Sequence, residues 1–260
     1  MLSTVTAASN RLTGVNPVAK LAAALVIAVG LVLSIDWVSA LTALILEMIL
    51  LLVLRVPLRT LFTRAAMVTL AAALTAVTIL LYGESRGTVH WHFLLITVSD
   101  GSIALAVATF LRVLAIALPS VLLFVDTEPT ELADGLGQVL RLPARFVLGA
   151  LAGVRLAGLL GQDWRYLGYA RRARGVADQG RVKRAAGQSF ALLVSAIRRG
   201  STLATAMEAR GFGAHPTRTW ARPSPFGRRE VALICAAFVI VAVAIATSVA
   251  TGHWNLIATR

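Results

Sequence analysis

Two Ala-Arg-Gly tripeptides stand 36 residues apart, Ala173-Arg174-Gly175 and Ala209-Arg210-Gly211. Arginine keeps its charge at every physiological pH, and its planar fork of donors matches a carboxylate. Glycine commonly ends a helix, and a basic residue in the last turn complements the negative end of the helix dipole. Each copy therefore reads as a capped helix end that carries a fixed positive charge. Two further charges lie deep in apolar sequence, Glu47 and Arg112. Charges inside a bilayer normally pair with one another or line a functional interior. The expectation adopted is a Glu47–Arg112 ion pair that fixes helix packing, with a direct transport role as the alternative.

Catalytic chemistry is hard to place. The two lysines, Lys20 and Lys183, follow Val-Ala and Arg-Val, so no phosphate-cradling Gly-x-x-x-x-Gly-Lys-Ser/Thr loop can be drawn. Gly-x-Ser-x-Gly and His-Glu-x-x-His are absent as well. His90 and His92 flank Trp91, but without a third good ligand the trio reads as an aromatic anchor at a membrane interface rather than a metal site. His215 and His253 stand alone, and the single cysteine, Cys235, lies in an apolar run as a small buried or lipid-facing residue. The expectation is a non-enzymatic chain with no cofactor and no metal.

The elements that must carry these residues follow from composition. The 260 residues are 58% hydrophobic and 14% charged, with a mean hydropathy of +0.80, a balance suited to lipid-facing helices. The formal charge of +13 is concentrated: residues 127–229 hold 17 of the 25 Lys and Arg against 6 of the 12 acids, a net +11. Aromatic residues are sparse there and no nucleic-acid module is visible, so a membrane-adjacent face or an acidic protein partner is expected, not a nucleic acid.

Five segments are apolar and near the ~20 residues that a bilayer core requires: 18–35, 37–54, 65–82, 101–125 and 231–251. Deprived of water, such segments must satisfy their own backbone and are expected to be helices. The first two are separated by little more than Asp36, which implies a tight hairpin. Arg11 and Lys20 ahead of an apolar run resemble a signal peptide, but no small-residue cleavage site follows, so a retained first helix is expected. The connection after the second span carries Arg55, Arg59 and Arg64 with no acid, whereas the one after the third has only Arg86 against Glu84 and Asp100. By the positive-inside rule the N-terminus and residues 127–229 are then cytoplasmic and the C-terminus external.

Within 127–229, Thr127, Pro129 and Thr130 open an amphipathic run in the manner of a helix start. Residues 146–162 are apolar but short of a comfortable span, with Arg155 at their centre. An arginine at mid-bilayer costs about 2.5–3.5 kcal/mol, so lying along the interface is the cheaper placement and a sixth span the open alternative. Phe190, Leu193, Ile197 and Leu203 recur near helical spacing with Arg198 and Arg199 between them. The expected architecture is thus an all-α integral membrane protein: membrane helices in 1–126, a cytoplasmic region of long amphipathic helices in 127–229, and a last membrane helix in 230–260.

Four stretches together resemble the transmembrane T component of energy-coupling factor transporters, over nearly the whole chain. Asn16-Pro17-Val18-Ala19-Lys20-Leu21 is similar to that family's lead-in to its first helix, and Thr127-Glu128-Pro129-Thr130-Glu131-Leu132 to its start of the coupling region. Arg171-Arg172-Ala173-Arg174-Gly175 and Ala206-Met207-Glu208-Ala209-Arg210-Gly211-Phe212 resemble its two Ala-Arg-Gly motifs. The resemblance implies coupling helices whose ends dock into grooves on two ABC-type ATPases, Arg174 on one and Arg210 on the other. It implies a bacterial inner-membrane scaffold for a substrate-binding S component, in uptake of a vitamin or metal ion. An ordinary ABC permease, an intramembrane enzyme and a membrane-anchored nucleic-acid binder are the competing classes. The first lacks a Glu-Ala-Ala loop, the second any catalytic pairing, and the third rests on charge alone.

Overall fold

The computed structural model describes residues 14–34, 36–54, 58–83, 87–93, 96–124, 127–175, 180–213 and 219–252. Arg11, Arg55, Glu84, Arg86, His215 and His253 lie outside the described residues, as do the side chains of Arg59, Arg64, His90, Trp91 and His92. Among the described residues, eight helices and a short ribbon follow in the order α1 (Pro17–Val32), α2 (Trp37–Val53), α3 (Leu58–Tyr82), β1 (Val89–Phe93), β2 (Ile96–Ser99), α4 (Asp100–Phe124), α5 (Pro129–Gln138), α6 (Ala144–Ala173), α7 (Arg181–Ala209) and α8 (Arg228–Ala250). The chain divides into two compact units, residues 1–128 with 225–260, and residues 129–224.

The first unit is a bundle of α1, α2, α3, α4 and α8. Asn16 caps α1 by accepting the Val18 N–H at 3.0 Å, and Pro17 occupies the first helical position, where a missing N–H costs nothing. Asp36 caps α2 through the Ser39 N–H at 2.7 Å, which is why one acid suffices to turn the hairpin. Glu230 reaches back to the Gly227 N–H at 2.8 Å and also accepts the Asn16 N–H at 3.3 Å, so the starts of α1 and α8 are tied together. Asn16 completes the tie by donating its side-chain amide to the Pro225 carbonyl at 3.0 Å.

Small residues fill the bundle and large ones coat it. Ala19, Ala40, Ala43, Ala72, Ala115 and Ala244 are wholly buried, whereas Leu25, Val29, Met67, Leu70 and Leu74 are exposed. That inversion suits lipid, where close packing of helix backbones replaces the hydrophobic drive of water. Gly30 marks the tightest approach: a methyl group built there would lie 2.3 Å from Cγ1 of Val241 on α8. Gly30→Ala is expected to cost about 1–3 kcal/mol of stability in detergent unfolding, with Val241→Ala restoring part of it. Additive losses would place the clash elsewhere.

Several features differ from the sequence expectation. By length and composition α3, α4, α6 and α8 are long enough to cross a membrane, while α1 and α2, of 16 and 17 residues, are shorter. The caps and turn around Asp36 take residues that hydropathy alone assigns to the spans. Arg59 and Arg64 lie within α3 instead of in a loop, because that helix begins at Leu58. The connection between α3 and α4, read as a loop, holds an antiparallel ribbon in which Trp91 pairs with Val98 and Phe93 with Ile96, with an irregularity between Val89 and Trp91. Its β-branched and aromatic residues fit a pleated backbone. The architecture is otherwise all-α, that of an integral membrane protein.

In the second unit, α6 and α7 run antiparallel over 30 and 29 residues. Asp163 pairs with Arg199 at 2.7 Å, and Arg171 donates to the Arg184 carbonyl at 3.5 Å. Gln138, at the end of α5, grips the returning chain at both edges: its Nε2 donates to the Arg222 carbonyl at 2.8 Å, and its Oε1 accepts the Ser224 N–H at 2.9 Å. Apart from Val147 and Gln188, the two long helices bury no described side chain, and Phe146, Phe190, Leu193 and Ile197 are exposed.

Candidate docking site

Both Ala-Arg-Gly copies end a long helix, and they do so with one backbone geometry. Arg174 closes α6 at φ −90° and ψ 5°, and Arg210 closes α7 at φ −89° and ψ 10°. The following glycines turn into the left-handed region, Gly175 at φ +66° and Gly211 at φ +73°. That region costs an L-residue with a side chain roughly 1–2 kcal/mol, which is what glycine supplies here. The Gly175 N–H donates to the Arg172 carbonyl at 3.0 Å and the Gly211 N–H to the Glu208 carbonyl at 2.9 Å. At α7 the closure has a second bond, from the Phe212 N–H to the Met207 carbonyl at 3.0 Å, while the Phe212 side chain is half-buried. Main-chain groups alone thus complete both helix ends.

The side chains are left available. Ala173, Arg174 and Gly175 are exposed, as are Ala209, Arg210 and Gly211. Among the described residues neither the Arg174 nor the Arg210 guanidinium forms a hydrogen bond or ion pair, unlike Arg145, Arg155, Arg171 and Arg199. Alanine before each arginine keeps the last turn slim, so each helix ends as a narrow, positively charged tip. Among the described residues no group of three His, Cys, Asp or Glu is placed to hold a metal.

Glu47 and Arg112 are not brought together. Glu47 is 3% exposed and neither carboxylate oxygen has a hydrogen-bond partner; its surroundings are Ala23, Ile27, Leu51, Pro119 and Leu233. Arg112 instead donates to the Ser34 carbonyl at the α1–α2 turn, where Asp36 supplies the opposing charge. Asp36 is itself held by Ser34 and by the Ser39 hydroxyl at 2.7 Å. Ser248 of α8 comes up beside it, fully buried, although its Oγ completes no hydrogen bond of normal geometry. The expected pairing assumed that α2 and α4 start at one level. They do not: Arg112 is level with Ser34, and Glu47 lies eleven residues further along α2 than Asp36, roughly 16 Å at 1.5 Å per residue. Sequence reading missed the Ser34–Asp36–Ser39 cluster, although an acid three residues before a serine at a helix start was its signal.

A second junction joins two of the quoted motifs. Lys20, 3% exposed on α1, donates to the Thr127 hydroxyl at 3.4 Å, bridging 107 residues of sequence.

Bundle, ribbon and exposed helix ends define a multi-pass membrane protein that presents two matched cationic tips. The pattern of the cobalt transport protein family, CbiQ, matches residues 8–220, and the chain belongs to that family. It is 29% identical over 175 residues to the energy-coupling factor transporter transmembrane protein EcfT of Limosilactobacillus fermentum, covering 60% of this chain. It is 31% identical over 157 residues, 55% of this chain, to the EcfT protein of Lacticaseibacillus paracasei. The matches span 66% and 59% of those relatives, less than two thirds of either. The resemblance to the T component of energy-coupling factor transporters is borne out.

Proposed function

We propose that this chain is the energy-coupling scaffold of an importer, linking two ABC-type ATPases to a membrane-embedded S component that binds a vitamin or metal ion. The observation that carries this reading is the duplicated helix end: two exposed arginines on matching tips, neither paired among the described residues. Arg174 docks one ATPase and Arg210 the other, each through a charge-assisted fork to a carboxylate. The chain performs no catalysis, and ATP hydrolysis belongs to the docked subunits. The N-terminus and residues 127–229 face the cytoplasm and the C-terminus lies outside, on the grounds of the loop arginines.

The exposed apolar positions of α6 and α7, among them Phe146, Val154, Phe190, Leu193 and Ile197, form the surface that receives the S component. An uncovered face of this extent is a standing partner site. Nucleotide-driven movement of the ATPases is then relayed along both helices to that surface. Co-expression with the ATPases and S protein of the same transporter is expected to yield one complex, while the purified chain alone hydrolyses no ATP. Hydrolysis by the isolated chain, or purification of the chain without either ATPase, would overturn the proposal.

A further inference from the structure

The C-terminal third of α6 and the start of α7 enclose a cleft of about 270 Å³. Arg165, Arg172 and Arg184 line it without an acidic residue among the lining groups, and Trp164 and Tyr169 form part of its wall. The Arg172 guanidinium lies 5.8 Å from the centre of the Tyr169 ring, so a cation–π contact holds it at the cleft. Gln188, 5% exposed, lines the cleft from α7. The Gln188 amide nitrogen packs beside Gly168, where a methyl group would meet it at 3.4 Å, an ordinary contact. Three guanidinium groups and an amide around one cleft, with no carboxylate among them, form a receptor for an oxyanion.

We infer that the cleft binds the phosphate head group of an anionic phospholipid. Charge selects an anion, and the surroundings select a lipid. Trp164 and Tyr169 line the cleft and are exposed, at the level where the apolar stretch of α6 gives way to Arg165, Arg171 and Arg172. Tryptophan and tyrosine beside basic residues mark the level of lipid head groups, and basic pockets between helices hold anionic ones. Leu159, exposed about a turn and a half earlier on the same helix, offers the acyl chains an apolar contact. The site stands independently of ATPase docking, but it lies two residues from Arg174 and would steady the end of α6 that carries it.

Native mass spectrometry of the full chain in a non-ionic detergent tests this directly. Phosphatidylglycerol should be retained as a single copy in preference to phosphatidylcholine of the same acyl chains. Combined Arg165→Gln, Arg172→Gln and Arg184→Gln should weaken that retention roughly 100-fold. Combined Arg141→Gln, Arg198→Gln and Arg222→Gln removes the same charge elsewhere and should leave it intact. Where the first triple variant is not monodisperse, Gln188→Met decides, because it removes the amide at nearly constant shape; about a 10-fold loss is expected. Equal retention of the two lipids, equal loss in the two triple variants, or no effect of Gln188→Met overturns the assignment. Inorganic phosphate bound as tightly as the lipid would overturn it too, in favour of a free-anion site.

Discussion

An Arg210→Glu chain is expected to reach the membrane at the wild-type level and to lose one of its ATPases. Loss of a partly desolvated charge pair from one side costs about 2–5 kcal/mol, which is roughly 30-fold to several thousand-fold in affinity. Reversal of the charge adds repulsion against the same carboxylate. The fold is insulated from the change: Arg210 is exposed, its backbone angles suit any residue, and the helix end is closed by main-chain bonds. A glutamate at the negative end of the helix dipole costs about 0.3–1 kcal/mol, well below the expected loss at the interface. Arg210→Lys keeps the charge but removes the planar fork, so an intermediate affinity is expected. Arg174→Glu should release the other ATPase and spare the first. Quantified co-purification from membranes reads all three, and wild-type recovery from Arg210→Glu would remove the docking role.

Arg112→Ala should produce the largest loss of stability in the membrane unit. Removing one partner of a buried polar pair costs about 3–5 kcal/mol, because the other is left without compensation. Here the groups left behind are the Ser34 carbonyl and Asp36, which is 4% exposed. Asp36→Ala should therefore suppress part of the Arg112→Ala defect, measured as unfolding midpoint in detergent, whereas Glu47→Ala should not. The reverse pattern would restore the Glu47–Arg112 pair as the organising contact.

These two residues also show where sequence reading works and where it stops. The ends of α6 and α7 were legible because their chemistry is local: alanine, arginine and glycine within three positions prescribe a capped helix and a free charge. The tight turn at Asp36 was visible for the same reason, whereas the start of α1 at Asn16-Pro17 was visible through the family resemblance. Arg112 was not legible in this way. Its partner depends on how far α4 runs before it meets the α1–α2 turn, and a ribbon that precedes α4 sets that offset. Counting residues from assumed membrane boundaries matched Arg112 to the wrong depth on α2. The Lys20–Thr127 bond has the same character, since neither flanking sequence encodes the other's position. The ribbon itself left a signal in Val89, Trp91 and Phe93 at alternate positions, which a reading for membrane anchors passed over.

The most direct test of the central claim is site-specific photo-crosslinking in native membranes from positions 174 and 210 of the full chain. Each position is expected to capture an ATPase subunit, position 210 a different one from position 174 where the two ATPases are distinct proteins, and an exposed control position such as Arg141 neither. Absence of ATPase adducts at both arginines, with the transporter intact and active in the same membranes, would contradict it.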